Sequence, residues 1–151
     1  GKGPPSSIGR RQVIIESDTT GCGGSGGTFS VGAFPSSQSQ PKGNAIFPDL
    51  VEACFELEKI ILPHRKPSTT IAINRHAQFK FHRDSGAGSG QTKSAIVALG
   101  DFAGGELQCE YEVKDIRYAP YEFDGWGQRH STLPFYGERY SLVWFTPLGL
   151  E

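Results

Sequence analysis

Between Asp49 and Leu62 the apolar residues Leu50, Val51, Ala53, Cys54, Leu57, Ile60 and Ile61 return every three or four positions, bracketed by Pro48 and Pro63. That spacing predicts one amphipathic helix whose apolar stripe packs on a sheet. Beyond Pro67 the period shortens. Runs rich in Val, Ile, Thr, Phe and Tyr alternate with Gly, Pro and Asp, and predict strands over 69–74, 77–83, 93–99, 105–113, 121–124, 128–133 and 139–146. Ahead of the helix, only 10–16 carries a β-branched run, Val13, Ile14 and Ile15; residues 1–9 read as flexible, and GCGGSGG at 21–27 as a Gly-rich loop or an engineered linker. Strands at this spacing after a single helix predict a mainly β fold with flanking α. The expected form is a sandwich or jelly-roll barrel that encloses a pocket, not a parallel α/β sheet.

A chain of 151 residues fits one domain, 1–151, with the informative motifs between 69 and 147. The balance of 15 basic and 16 acidic residues gives a formal charge of -1. That removes the argument for a strongly basic nucleic-acid binder, so any such contact must be local. Cys22, Cys54 and Cys109 are widely spaced and form no CxxC pair, which suggests neither a disulfide framework nor a zinc site and points to a reducing, intracellular compartment. No apolar run approaches the roughly 20 residues needed to span a bilayer, so no membrane partner is expected. The chain starts at Gly1 and has no Met, so it reads as trimmed, with room for missing targeting segments. The Lys-Ser/Thr ending of a phosphate-cradling loop is absent from the glycine-rich stretch.

The chemistry gathers in Phe81-His82-Arg83-Asp84, followed by the glycine-rich loop Ser85–Gly90. Residues two apart on a strand face the same way, so His82 and Asp84 can aim inward together while Arg83 points out. An imidazole with a carboxylate suits Fe(II), and one remote histidine completes a two-His, one-carboxylate face that leaves coordination positions open. His64, His76 and His130 are the candidates. His64 at the helix exit suits a solvated cap, and His76 shares the parity of His82 only on an unbroken strand. His130, in a late strand after Asp124-Gly125-Trp126-Gly127, is the favoured third ligand. Nine residues on, Arg139, Ser141 and Val143 share one face of a strong strand, opposite Tyr140, Leu142 and Trp144. An inward arginine in an apolar barrel is costly without an anion, and a bidentate carboxylate such as the distal end of 2-oxoglutarate is its natural partner, with Ser141 as an added donor.

The order HRD, LGDFAGGEL and QRHSTLPFYGERYSLVWF resembles the Fe(II)/2-oxoglutarate-dependent dioxygenases, most of all the TET/JBP group of nucleic-acid base oxygenases. The resemblance covers about 69–147. It implies a double-stranded β-helix (jelly-roll, cupin-like) barrel in which His82, Asp84 and His130 hold Fe(II) and Arg139 with Ser141 holds 2-oxoglutarate. Asn74 then matches a position that orients the cosubstrate; the alternative is an Asn that closes a turn through its own side chain. The implied reaction consumes dioxygen, yields succinate and carbon dioxide, and hydroxylates a C–H bond, since Asp84 is present where halogenating relatives lack the carboxylate. The implied partner is DNA, with thymine or 5-methylcytosine flipped into the barrel mouth, and the implied location is nuclear in a eukaryote. Phe79, Phe81, Tyr121, Phe123, Trp126 and Phe135 are then candidate stacking platforms. Arg10, Arg11, Arg65, Lys66, Lys80, Arg83, Lys93 and Arg129 are candidate phosphate contacts. The plain alternative for each is a core aromatic or a solvated cation. A protein or small-molecule hydroxylase with the same iron centre, or a non-catalytic ligand-binding barrel, remains in competition, and the 85–90 loop is either a lid or a connector.

Overall fold

A computed structural model describes residues 14, 26–35, 39–84 and 93–150. The chain runs through β1 (Gly27–Gly32), α1 (Gly43–Ile46), α2 (Pro48–Ile61), β2 (Thr70–Arg75), β3 (Ser94–Leu99), β4 (Phe102–Gly104), β5 (Leu107–Cys109), β6 (Glu112–Lys114), β7 (Tyr121–Phe123), β8 (His130–Thr132), β9 (Phe135–Gly137) and β10 (Tyr140–Phe145). A five-stranded antiparallel sheet, ordered β1-β2-β10-β3-β7, forms one wall. The short sheets β4-β9 and β6-β5-β8 form the other. This is the jelly-roll that the strand spacing predicts. No helix among the described residues is long and apolar enough to cross a membrane.

The large sheet is covered on both faces, which is why TIAIN and SAIVAL read as continuous apolar runs. Ile71, Ile73, Ala95, Val97, Leu142 and Trp144 pack under α2, against Cys54, Val51, Phe55, Leu57 and Ile61. Trp144 Nε1 also donates to the Cys54 carbonyl at 2.9 Å, so the largest side chain in this layer leaves no polar atom unpaired. The intervening residues Ile96, Ala98 and Val143 turn into the barrel, where they meet Phe102, Leu107, Cys109, Ile116, Phe123 and Phe135. Pro48 at the first position of α2 and Pro63 just past its end bound the helix where the sequence predicts.

Several strand boundaries differ from the sequence reading. The stretch 77–83 is not a strand, because His76 adopts φ 51° and breaks the extension of β2. The segment beyond His76 pairs only at isolated bridges, Ile14 with Phe79 and His82 with His130. The span 105–113 is a hairpin, cut by Glu110 at φ 52° into β5 and β6. Strands β1, β4 and β9 escape the pattern, the last two being three residues long with too few alternations to register. Of 10–16 only Ile14 lies within the described residues; residues 1–9 and 85–90 and most of 21–27 lie outside them.

Arg65 is not a phosphate contact. Its guanidinium locks the exit of α2 to the sheet through Glu58 Oε2 at 3.0 Å, Glu122 Oε1 at 2.8 Å and the Lys93 carbonyl at 2.6 Å. Glu58, 1% exposed, also accepts from the Ser68 amide at 2.8 Å and hydroxyl at 2.6 Å. Removing one partner of such a pair strands the other, so Glu58→Ala is expected to lower the unfolding free energy by about 3 kcal/mol, with a smaller loss for Glu58→Gln. Urea titration reads both values.

Candidate metal centre

The bridge between His82 and β8 builds the site. His82 N–H donates to the His130 carbonyl at 3.0 Å and His130 N–H to the His82 carbonyl at 2.8 Å. Two residues on, Asp84 N–H donates to the Gly125 carbonyl at 2.8 Å. The backbone bonds thus keep the two-residue alternation although no regular strand forms, and His82, Asp84 and His130 converge with all their ligand atoms within 4.8 Å of one another. His82 Nε2 and His130 Nε2 each lie 3.4 Å from Asp84 Oδ1. Among the described residues this is the one cluster of three or more His, Cys, Asp or Glu that could hold an ion.

Each imidazole is oriented through its other nitrogen. His82 Nδ1 sits 2.5 Å from the Lys80 carbonyl and His130 Nδ1 3.0 Å from the Gln128 carbonyl. A carbonyl only accepts, so both Nδ1 atoms carry a proton and both Nε2 atoms are left facing the carboxylate, the nitrogens that a metal would take. Burial pushes the Asp84 carboxyl up, but hydrogen bonds from His130 and His82 outweigh it and hold it at about 2. Burial likewise depresses His130, and the hydrogen bond and charge of Asp84, with the Gln128 carbonyl, raise it above its ordinary 6.5. Two imidazoles that turn Nε2 to a carboxylate already ionised make a donor set that fits Fe(II), which would take the place of the protons between them.

Without metal these two groups titrate in opposite directions. The Asp84 contribution to stability is present above 3.8 and lost as the pH falls toward 2. The His130 contribution is complete below 6.5 and lost as the pH rises through its raised value. The metal-free chain is therefore expected to melt highest between pH 3.8 and 6.5, with the acid limb at most about 2 kcal/mol deep. Melts in chelator across this range check it, and Asp84→Asn should flatten both limbs.

His64 is exposed at the helix exit, and His76, though buried, stands outside the cluster. Arg139 is 2% exposed inside the barrel, its guanidinium between the rings of Phe102 and Phe135 at 5.5 and 5.3 Å. Nη2 donates to the Gly105 carbonyl at 2.9 Å, while Nε has no partner among the described residues. Burial pulls this guanidinium down to about 10, against the opposing pull of Glu106. A buried cation with an unspent donor is a site for an anion, and a dicarboxylate fits. Gly105 makes room for it: at φ 71° it favours no side chain, and an added Cβ would stand 2.6 Å from Arg139 Nε. The sequence reading missed Gly105, although the Gly-Gly of LGDFAGGEL was the signal available.

Thr28, Asn74, Ser141 and Ala98 occupy one register row across the sheet. Thr28 Oγ1 donates to Asn74 Oδ1 at 2.7 Å, and Asn74 Nδ2 donates to Ser141 Oγ at 3.0 Å. Asn74 therefore closes no turn; it ties β1 to β10 through β2. Of the proposed platforms, Phe123 and Phe135 are core residues, whereas Phe81, which precedes His82 in the chain, and Trp126, which follows Gly125, are each 45% exposed. Arg129 lies over the Phe81 ring at 5.2 Å, and Lys66, Lys80, Arg83, Lys93 and Arg129 are all exposed; Arg10 and Arg11 lie outside the described residues.

No protein-family model matches the sequence, and no curated protein matches it. Solved structures do. NgTET1 in complex with 5mC DNA aligns with a TM-score of 0.61 at 16% identity, over 82% of this chain and 61% of that one. A 2OG-Fe(II) oxygenase family protein from Burkholderia pseudomallei aligns with a TM-score of 0.53 at 17% identity, over 87% of this chain and 70% of that one. The chain has the fold of the 2OG-Fe(II) oxygenases. It spans 61% of the NgTET1 chain. At these identities the likeness is one of fold, so the chemistry rests on the residues themselves. His82 bridges β8 at His130, and Arg139 is buried between two aromatic rings.

Proposed function

We propose that this chain is an Fe(II)/2-oxoglutarate-dependent dioxygenase that hydroxylates the 5-methyl group of thymine or 5-methylcytosine in DNA. The carrying observation is the convergence of His82 Nε2, Asp84 Oδ1 and His130 Nε2 in a jelly-roll that also buries Arg139 with a donor unspent. When bound, iron with 2-oxoglutarate and dioxygen supplies the oxidising power that places one oxygen atom in a C–H bond as 2-oxoglutarate leaves as succinate and carbon dioxide.

The chain's own residues do the rest. His82, Asp84 and His130 hold the metal on one face. Arg139 neutralises and orients the distal carboxylate of 2-oxoglutarate. Ser141 accepts from Asn74, which leaves its own proton to donate to that carboxylate. The buried aromatic wall of Phe102, Phe123 and Phe135 excludes water from the interior.

The nucleic-acid reading is supported by the fold shared with NgTET1, which was solved with 5mC DNA, and by the exposed Phe81, Trp126 and Arg129. A protein or small-molecule substrate is favoured by one feature: Glu110, Glu112 and Asp124 lie close enough to Cys109, the register partner of His130, to raise its thiol, after burial, above the ordinary value. Carboxylates so near the ligands repel phosphate. Anaerobic iron loading, incubation with 2-oxoglutarate, oxygen and DNA containing thymine or 5-methylcytosine, then nucleoside mass spectrometry with succinate in parallel, decides between them. Hydroxymethylpyrimidine matched by succinate is the expected result. Succinate without a nucleoside change moves the substrate to proteins or small molecules, and no succinate under any condition overturns the reading.

A further inference from the structure

Asp84 turns one oxygen toward both imidazoles, and Gly125 lies beside the other. Oδ1 stands 3.4 Å from both Nε2 atoms. The other oxygen, Oδ2, lies where a Cβ on Gly125 would be, so that any side chain at this position would overlap the carboxylate. Gly125 is buried, and its φ lies outside the left-handed region, so its backbone is one an L residue can adopt. Glycine is therefore not required here by the turn. It is required by the space the carboxylate occupies, and the same residue fixes the backbone of Asp84 by accepting its N–H at 2.8 Å.

We propose that Gly125 is a positioning residue of the metal centre: by accepting the Asp84 amide and leaving room for Oδ2, it holds the carboxylate with a single oxygen turned to the two histidines. The inference rests on the proposed metal centre and adds a residue that contacts no metal itself. A side chain at 125 turns the carboxylate away from Nε2 of both histidines while leaving the ligands chemically intact.

The neighbouring Gly127 supplies the control. A Cβ there would also overlap a carboxylate oxygen, Asp124 Oδ2, but that residue belongs to the turn and not to the cluster. The probe is Co(II), titrated anaerobically into the full chain and followed by its visible absorption band. Gly125→Ala is expected to weaken Co(II) binding about 10- to 100-fold and to change the band of the bound ion, as loss of an outer-shell partner does. Gly127→Ala should stay within about threefold of wild type. Because Asp84→Ala by itself removes metal binding, that background is read by thermal melts of the metal-free chain: Gly125→Ala should lower the melting temperature of wild type but not of Asp84→Ala, where the carboxylate it meets is gone.

Wild-type affinity and spectrum in Gly125→Ala would overturn the proposal while leaving the metal centre standing. An equal drop in melting temperature in the Asp84→Ala background would overturn it too, showing general damage instead. Absence of Co(II) binding by the wild-type chain would overturn both the proposal and the metal centre on which it rests. Should Gly125→Ala fail to fold, folding of the Asp84→Ala/Gly125→Ala pair supports the steric argument, and failure of both variants defeats it. The other close neighbour of an added Cβ, the Phe123 ring at 3.2 Å, is unchanged in that pair.

Discussion

Replacing His82 or Asp84 with alanine is expected to abolish Fe(II) binding and succinate formation while the far-UV circular dichroism of the chain stays unchanged. The structural elements that shape the site do not use these side chains: His82 and Asp84 are held by backbone hydrogen bonds to His130 and Gly125, and their side chains are 13% and 28% exposed. Removing either leaves two donors where an ion needs three. Loss of an outer-shell partner alone costs about 10- to 100-fold in metal affinity, so loss of a ligand should exceed about 100-fold. Co(II) titration gives the affinity, and coupled succinate detection gives turnover. His76→Ala is the informative comparison, because His76 is buried and near in sequence but stands outside the cluster, and metal binding should survive it. Turnover persisting in both His82→Ala and Asp84→Ala would sink the assignment.

The parts of the site that the sequence made legible are those governed by local alternation. His82 and Asp84 share a face because they are two apart in extended chain, and the same rule separates Ser141 and Val143 from Leu142 and Trp144. The helix was legible because its stripe fills the fourteen residues Pro48–Ile61, with Pro63 just beyond its end. What stayed hidden depends on partners far along the chain. Arg65 reads as one more surface cation until Glu58, Glu122 and the Lys93 carbonyl close around it. Phe123 and Phe135 read as stacking platforms until the barrel closes and buries them. The break at His76 comes from a left-handed backbone that no residue type there announces, and the three-residue strands β4 and β9 carry too little pattern to be seen.

Arg139 separates function from stability, and a single substitution tests both. Its charged form is disfavoured by burial: the drop from the ordinary guanidinium value to about 10 corresponds to about 3 kcal/mol against the cation in the folded chain without ligand. The contacts with Phe102, Phe135 and the Gly105 carbonyl do not recover that loss, and Nε has no partner among the described residues. Arg139→Met keeps most of the volume and removes the charge, so the ligand-free protein should be at least as stable as wild type, as when buried ions give way to apolar residues. The affinity for 2-oxoglutarate should fall about 100-fold, because charge-assisted hydrogen bonds contribute roughly 1.5 to 3 kcal/mol each. Metal binding, carried by His82, Asp84 and His130, should be retained. Arg139→Lys should recover part of the affinity, since it restores the charge without the planar fork. Calorimetric titration with 2-oxoglutarate on the Co(II)-loaded protein and thermal melts of the ligand-free chain give the two readouts. If Arg139→Met melts well below wild type and binds 2-oxoglutarate as tightly, the guanidinium is a structural plug between two aromatic rings, and the anchor for the cosubstrate lies elsewhere in the barrel.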